Sequence, residues 1–342
     1  MSTIAMDSAT AATSRTRGGR PRFWLIGTVA GAFLGLVLLV AVWAKALDPL
    51  AFAEQIRTEK LDFLLSAQAV ALIALALEAG LGLALLLGLR RTWILVPATL
   101  LVAFFLFLTG RTYWLDSQGL LDEKAAASCG CFGNLVQRSP AEAFWQDLLM
   151  LVPPLALAFA GRDRRSRRFP PVRTVAVAAT ALGATLFAWK APDLPLDDLA
   201  TRLKPDVKVA ELCVGGDDQT APVCLDTVAP DLAEGEHLVV MANLDDPALT
   251  DAVDAMNEYA RQPGKPRLSV LSPSPPEQHH AFLWQWGPVF QIVEAPAPVL
   301  RPLYRRLPRS FMVQDGKVTR TFPGLPPDLQ TPTGERTAPS PV

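Results

Sequence analysis

The segment FWLIGTVAGAFLGLVLLVAVWA, residues 23–44, contains no charged side chain. At about 1.5 Å per residue, a helix of this length crosses a hydrocarbon layer of about 30 Å. A cleaved signal peptide is the alternative, because Ala44-Lys45-Ala46 resembles a cleavage site. The run is long for a signal peptide and further apolar runs follow it, so we predict a first transmembrane helix.

Four more apolar runs lie at about residues 61–89, 93–109, 143–160 and 174–189. Half of all residues are hydrophobic, the mean hydropathy is +0.25 and the net charge is −1. In lipid, the backbone N–H and C=O groups have no water to bond to, and a helix satisfies their hydrogen bonds internally. Each run therefore predicts a transmembrane helix. The sequence therefore predicts an α-helical bundle in a lipid bilayer, and it gives no indication of nucleic-acid binding.

Arginine is concentrated in three places along the chain. These are the N-terminal tail (Arg15, Arg17, Arg20, Arg22), the second interhelical loop (Arg90, Arg91) and the fourth (Arg162, Arg164, Arg165, Arg167, Arg168, Arg173). Loops 45–60 and 110–142 show no such excess. The positive-inside rule predicts a cytoplasmic N-terminus in the inner membrane. It places loop 110–142 and all residues after 190 on the periplasmic side.

The segment SCGCFGN, residues 128–134, lies in loop 110–142. It contains two of the four cysteines of the chain. Cys129 and Cys131 are separated by one glycine, so a disulfide between them closes a small, strained ring that is readily reduced. Redox chemistry, a structural disulfide and a metal site are the alternatives. A metal site is least favoured because no histidine or further cysteine lies nearby. We predict that Cys129 and Cys131 are catalytic redox residues.

Two further polar positions lie in or beside the apolar runs. Glu78 lies well inside the second run, where a carboxyl group is costly and usually faces the bundle interior. A structural and a functional role both remain open for this intramembrane polar site. Lys45, Asp48 and Pro49 follow the first run, and we interpret them as an interfacial cap and turn with a snorkelling lysine.

Residues 43–49 (WAKALDP), the Leu77-Glu78 pair and residues 129–133 (CGCFG) together resemble the MauE family of methylamine-utilisation proteins. The resemblance covers about residues 22–162 and implies a four-helix, DoxX-like membrane domain. It also implies a role in maturing methylamine dehydrogenase, whose small subunit is rich in disulfides. Family members also occur outside methylamine operons, so the resemblance does not fix the client. The fifth predicted helix, within residues 163–190, departs from the family pattern.

The last third of the chain reads as a soluble domain, residues 207–326, after a linker at 191–206. Residues 207–213 and 221–228 predict a first hairpin, and Asp315-Gly316 predicts a second between 311–313 and 317–322. Residues 238–242 and 268–271 predict buried strands, and 249–261 a helix. This order resembles a membrane-anchored, thioredoxin-like domain of the cytochrome-maturation type. The resemblance implies a cis-proline at Pro308.

The soluble domain departs from the thioredoxin family at one decisive point. Residues 243–247 (NLDDP) stand where thioredoxins carry Cys-x-x-Cys, so this domain lacks the family's thiols. We therefore expect it to bind a partner beside Pro308 or to cover the cysteine loop. Cys213 and Cys224 lie on the two arms of the first predicted hairpin, either as a structural disulfide or as a second redox pair. The three histidines show no pattern with the cysteines, so no metal site is predicted.

Two functions from different classes follow from the sequence. The first is a membrane thiol–disulfide redox or maturation factor that serves an exported client or a periplasmic thiol–disulfide partner. The second is a non-catalytic assembly scaffold whose cysteines are structural. No residue establishes a cofactor, although a quinone could accept electrons from such a protein. The tails, residues 1–21 and 327–342, are predicted to be disordered.

The predicted orientation is tested with alkaline phosphatase, which needs disulfides and is active only outside the cytoplasm. Fusion after residue 200 should give an active enzyme, and fusion at Arg165 an inactive one. The opposite pattern would place the cysteines in a reducing compartment and contradict the orientation.

Overall fold

The computed structural model describes residues 21–120, 138–162, 171–215 and 222–330. The N-terminal part contains six helices within these ranges: α1 (Pro21–Leu47), α2 (Pro49–Thr58), α3 (Ala67–Leu86), α4 (Thr92–Ser117), α5 (Pro140–Ala160) and α6 (Pro171–Lys190). All except α2 are long and apolar enough to cross a membrane. The predicted helical membrane bundle is therefore confirmed. The second span begins at Ala67 rather than at residue 61, because residues 59–60 form a turn and residues 61–66 are irregular.

Helix α2 was not predicted, although the sequence contains its start signal. The Asp48 side chain accepts a hydrogen bond from the Ala51 amide at 3.1 Å, and Pro49 occupies the first helical turn. An aspartate N-cap followed by proline is a favoured helix start. Helix α5 begins with a capping box between Ser139 and Glu142. These caps fix where the chain turns at one end of the bundle.

The bundle is built on α1, which packs against α3 and α5, while α4 packs against α5. Its interior is a cluster of aliphatic side chains from these four helices, including Leu34, Leu85, Leu95 and Leu151. A β-carbon at Gly35 would lie 2.5 Å from the Gly82 carbonyl oxygen. Helices α1 and α3 therefore meet backbone to backbone, as small residues allow in membranes.

Helix α6 lies on the outside of the bundle and packs mainly against α3. Ala188 is its one fully buried residue among the described positions 171–190. The helix is therefore largely open to lipid, and its effect on the fold is to carry the chain across the membrane once more before the soluble domain.

The soluble domain has seven strands among its described residues: β1 (Cys213–Val214), β2 (Val223–Cys224), β3 (Glu236–Met241), β4 (Arg267–Ser272), β5 (Gln291–Glu294), β6 (Arg309–Gln314) and β7 (Lys317–Phe322). The main sheet has the order β5-β4-β3-β6-β7. Strands β3, β4 and β5 are parallel, whereas β6 and β7 run antiparallel to their neighbours. A central parallel strand beside an antiparallel terminal hairpin is the predicted thioredoxin-like arrangement.

The sheet is covered on both faces. Val239 and Phe311 belong to one buried cluster, whereas Leu238 and Val270 belong to another. This alternation follows the two-residue period of a strand that is buried on both sides. Helices α7 (Val253–Arg261) and α8 (Pro276–Trp286) complete the domain, together with short helical turns at Ala191–Asp193, Asp197–Ala200, Val209–Glu211, Leu225–Val228, Pro230–Ala233, Pro247–Thr250, Ala297–Leu300, Arg301–Leu303 and Pro327–Leu329.

The hairpin at Asp315-Gly316 is confirmed, with φ of 48° and 75° at the two turn residues. The first hairpin is much shorter than predicted, because residues 209–211 and 225–228 are helical turns instead of strand. Helix α8 and strand β5 were not predicted at all.

Two segments that we had expected to be loose are packed. The predicted linker 191–206 forms two helical turns, and Leu203 within it is fully buried. The predicted tail 327–342 begins with a helical turn whose Leu329 is fully buried in the domain core. Proline and aspartate in these segments start and cap helical turns, which the composition alone did not distinguish from disorder. Residues 331–342 and 1–20 lie outside the described ranges.

The close contact of α1 and α3 predicts a specific sensitivity. Gly35→Ala should destabilise the purified full-length protein by about 1–3 kcal/mol, because the new methyl group forces the backbones apart. Gly183→Ala is the matched control, since a β-carbon on this transmembrane glycine meets no atom of the described residues within 4 Å. Thermal unfolding in detergent measures both variants. Equal stability of the two would contradict the close approach.

Candidate functional site

The cysteine segment itself, with Cys129 and Cys131, lies outside the described residues. The chain ends that border it, Leu120 and Arg138, are described. Arg111, near the end of α4, forms an ion pair with Glu59, which follows α2. Pro140, at the start of α5, lines the same cavity as Gln55 of α2. Both borders of the segment therefore lie at the α2 end of the bundle.

A buried ion pair lies inside the bundle, close to its α2 end. The Lys45 ammonium contacts the Glu78 carboxylate at 2.6 Å, and the side chains are 3% and 0% exposed. The same ammonium lies 4.3 Å from the Phe105 ring centroid and 5.0 Å from that of Phe52. Charge pairing and cation–π attraction both offset the cost of burying the ammonium. Lysine 45 thus joins α1 to α2, α3 and α4.

Our interpretation of Lys45 as a snorkelling lysine is wrong. Its side chain points into the bundle because a partner of opposite charge lies there. The signal was present in the sequence: one cation near the end of the first apolar run and one anion inside the second. Ionisable groups within a membrane tend to pair with one another. No donor among the described residues reaches Oε2 of Glu78, so the pair satisfies only part of that carboxylate.

A cavity of about 80 Å³ lies beside this ion pair. Its wall is mostly apolar and is formed by α2, α3, α4 and the start of α5; the lining residues are Lys45, Phe52, Gln55, Ile56, Glu59, Leu61, Val70, Ala74, Leu101, Phe104, Phe105, Leu108, Thr109, Thr112, Pro140 and Ala143. The Thr109 and Thr112 hydroxyls donate to the carbonyl oxygens of Phe105 and Leu108. The cavity therefore has mostly apolar sides, with Lys45, Glu59 and Gln55 among its lining residues.

The soluble domain sits over the same end of the bundle. Arg305 donates to the carbonyl oxygens of Ala191 at 2.7 Å and Leu194 at 3.2 Å, just after α6. Asp48, at the end of α1, is buried, and this burial raises the pKa of its carboxyl. The positive charges of Arg301 and Arg305 from the soluble domain oppose that rise. These contacts place the domain next to the C-terminal ends of α1 and α6.

Arg309 fixes the packed segment 197–203 to the sheet. It is 1% exposed and donates to Thr201 Oγ1 and the Leu303 carbonyl, each at 2.6 Å. It also donates to Asp198 at 3.1 Å. Burial lowers the pKa of its guanidinium, and the charges of Asp197 and Asp198 oppose that change. Arg309 therefore has a structural role in the described part of the chain.

Pro308 lies just before β6, at the end of the strands where thioredoxins carry their active site. The Leu307–Pro308 peptide bond is cis, as the resemblance implies. Arg309 pairs with Met241 across β6 and β3, so Pro308 lies near residues 242–243. The Leu244 amide donates to Ser274 Oγ at 3.2 Å, and Asp246 caps the turn Pro247–Thr250. Residues 243–247 thus form an ordered, thiol-free turn beside Pro308.

Cys213 and Cys224 pair directly across β1 and β2 and form a disulfide. The prediction that they lie on the two arms of one hairpin is confirmed. In the described part of the chain, no group of three or more His, Cys, Asp or Glu side chains is placed to hold a metal ion.

The buried ion pair predicts a non-additive response to mutation. Lys45→Met alone should cost about 3–5 kcal/mol of stability, because it leaves the Glu78 charge without its partner. The double variant Lys45→Met/Glu78→Leu should recover most of that loss. Lys190→Met, at the exposed end of α6, should have little effect. Unfolding of the purified proteins tests this, and additive losses in the double variant would contradict the pairing.

Comparison with known proteins identifies the membrane domain. The family model for methylamine utilisation protein MauE matches residues 23–160. No curated protein matches the chain. Among solved structures, the soluble part is similar to a Chlorobium tepidum protein described as a thiol:disulfide interchange protein DsbE, with 17% identity over 36% of this chain and 89% of that chain, and a TM-score of 0.29. The thioredoxin-like assignment rests on the sheet order described above. The match over residues 23–160 confirms the resemblance of the membrane domain to the MauE family.

Proposed function

We propose that this multi-pass membrane protein is a thiol–disulfide redox or maturation factor for an exported client protein. The observation that carries the proposal is that both borders of the cysteine segment lie at the same end of the bundle as the soluble domain. Arg111, near the end of α4, pairs with Glu59 after α2, and Pro140, at the start of α5, lines the same cavity as Gln55 of α2. The domain contacts the chain just after α6. A client held by the domain would therefore be close to where the Cys129–Cys131 segment begins and ends.

The proposed chemistry is thiol–disulfide exchange at Cys129 and Cys131. When this pair is oxidised, a client thiolate attacks one sulfur and a second client thiol resolves the mixed disulfide. The client then gains a disulfide, and Cys129 and Cys131 become a dithiol. The reverse exchange would reduce a client disulfide. Disulfide-rich exported proteins such as methylamine dehydrogenase are the proposed client class.

The soluble domain is proposed to hold the client without reacting with it. Pro308 and the turn 243–247 lie together at the end of the strands where thioredoxins carry their active site. The turn contains no cysteine. The pair Cys213–Cys224 is already joined in a short hairpin and serves as a structural disulfide. Peptide binding at this end of the strands would bring client cysteines to the membrane surface.

The proposed orientation places this end of the bundle in the periplasm, with the protein in the inner membrane. The arginine-rich segments support it, because the positive-inside rule assigns them to the cytoplasm. The periplasm also permits stable disulfides. One observation favours a non-catalytic scaffold as the second candidate: the thioredoxin-like domain has no thiols at its usual site.

The proposal predicts that Cys129 and Cys131 occur in both redox states in the cell. Acid quenching of membranes followed by thiol alkylation should show a mixture of dithiol and disulfide. The mixture should shift at dithiothreitol concentrations that leave Cys213–Cys224 oxidised, because a small strained ring is reduced more easily. Cys213→Ser/Cys224→Ser is the matched variant that isolates the signal of the first pair.

A second readout separates the two candidate functions. Cys129→Ser or Cys131→Ser should abolish disulfide formation in the client while the protein remains inserted and abundant. Two results together would support the scaffold instead. Cys129–Cys131 would stay fully oxidised until Cys213–Cys224 is also reduced, and the serine variants would still mature the client normally.

A further inference from the structure

We propose that the cavity beside Lys45 binds the ring of a lipid-soluble quinone. This inference rests on the proposed redox function for its biological purpose, but the binding itself is argued from the cavity alone. The cavity lies between α2, α3, α4 and the start of α5, below the soluble domain.

The cavity is accessible from the lipid-facing surface of the bundle. Phe104 lines it and is 40% exposed on the outside of α4. Leu101 and Leu108 lie on the same face of α4, three and four residues away, and also line the cavity. A molecule dissolved in the bilayer can therefore enter from the side without crossing water.

The wall of this cavity offers a hydrogen-bond donor that is not fully used. An ammonium group has three N–H donors. Among the described residues, Glu78 Oε1 accepts one from Lys45, and this nitrogen also contacts the faces of the Phe52 and Phe105 rings. A carbonyl oxygen that enters the cavity can accept a hydrogen bond from the remaining donors.

The charges of Lys45 and Glu78 determine which kind of hydrogen-bond acceptor the cavity favours. Lys45 and Glu78 neutralise each other as a pair. A fatty-acid carboxylate or a lipid phosphate would bring a second anion close to Glu78 in a medium of low dielectric constant, where like charges repel strongly. A neutral carbonyl group accepts the hydrogen bond without adding charge. The site therefore favours a neutral carbonyl compound over an anionic lipid.

The shape and lining favour a flat ring. Phe52, Phe104 and Phe105 surround the cavity, and aromatic rings pack well edge to face or offset against one another. The cavity measures about 80 Å³, roughly half of the 150 Å³ of an enclosed cavity that holds benzene. The ring would thus lie partly in the opening against Phe104, with its apolar tail in the bilayer.

A quinone at this position completes the electron balance of the proposed function. Oxidation of the Cys129–Cys131 dithiol to a disulfide releases two electrons and two protons. A quinone takes up two electrons and two protons and leaves as the quinol. Pro140, which lines the cavity, follows Cys131 by nine residues in the chain.

The binding test uses full-length protein in phosphatidylcholine nanodiscs with decylubiquinone as the probe. Wild-type protein should bind it saturably, and Lys45→Met should weaken binding by at least about tenfold, the loss of one hydrogen bond to a charged donor. Lys45→Met/Glu78→Leu guards against misfolding of the single variant and should bind as weakly. Val70→Phe, which narrows the cavity without touching a charge, should also weaken binding. Lys190→Met is the matched control and should bind like wild type.

The outcomes distinguish this site from other occupants and from the proposed function. Binding that is unchanged in both the double variant and Val70→Phe would overturn the inference, as would oleate that displaces the quinone at lower concentration. The Cys129→Ser/Cys131→Ser variant should still bind decylubiquinone. Normal thiol cycling with no quinone binding in wild type would overturn the site and leave the proposed function standing.

Discussion

The buried pair of Lys45 and Glu78 is the interaction on which the α2 end of the bundle depends. Two charges in a membrane interior are tolerated only when they are paired closely, so their 2.6 Å contact fixes α1 against α3. The two phenylalanine rings over the ammonium add α2 and α4 to the same junction. The cavity lies beside this junction, between α2, α3, α4 and the start of α5, with Lys45 of α1 in its wall.

The same end of the bundle also carries the soluble domain. Arg305 binds backbone carbonyls just after α6, and Arg309 holds the following segment against the sheet. Helix α6, the fifth membrane span, therefore brings the thioredoxin-like domain to the end of the bundle where the described borders of the cysteine segment lie. Because residues 243–247 contain no cysteine, we propose that this domain takes part in thiol exchange through such a neighbour.

The sequence predicted the large features because each has a strong local signal. Five apolar runs, the Asp315-Gly316 turn and the facing cysteines 213 and 224 all follow from short-range chemistry. It did not predict α2, α8 or the packing of Leu203 and Leu329, which depend on contacts with distant residues. Lys45 shows the limit most clearly: it was interpreted from its neighbours in the chain, whereas its position is set by Glu78, 33 residues away.

We propose that the α2 end of this bundle passes electrons between the Cys129–Cys131 pair and a lipid-soluble acceptor. The most direct measurement is a single turnover of pre-reduced, full-length protein with decylubiquinone in nanodiscs, followed by quinol formation and thiol loss. The account predicts about one quinol per protein molecule, from one two-electron dithiol oxidation, and none from Cys129→Ser/Cys131→Ser. Equal quinol formation by that variant, or none by the wild type, would contradict it.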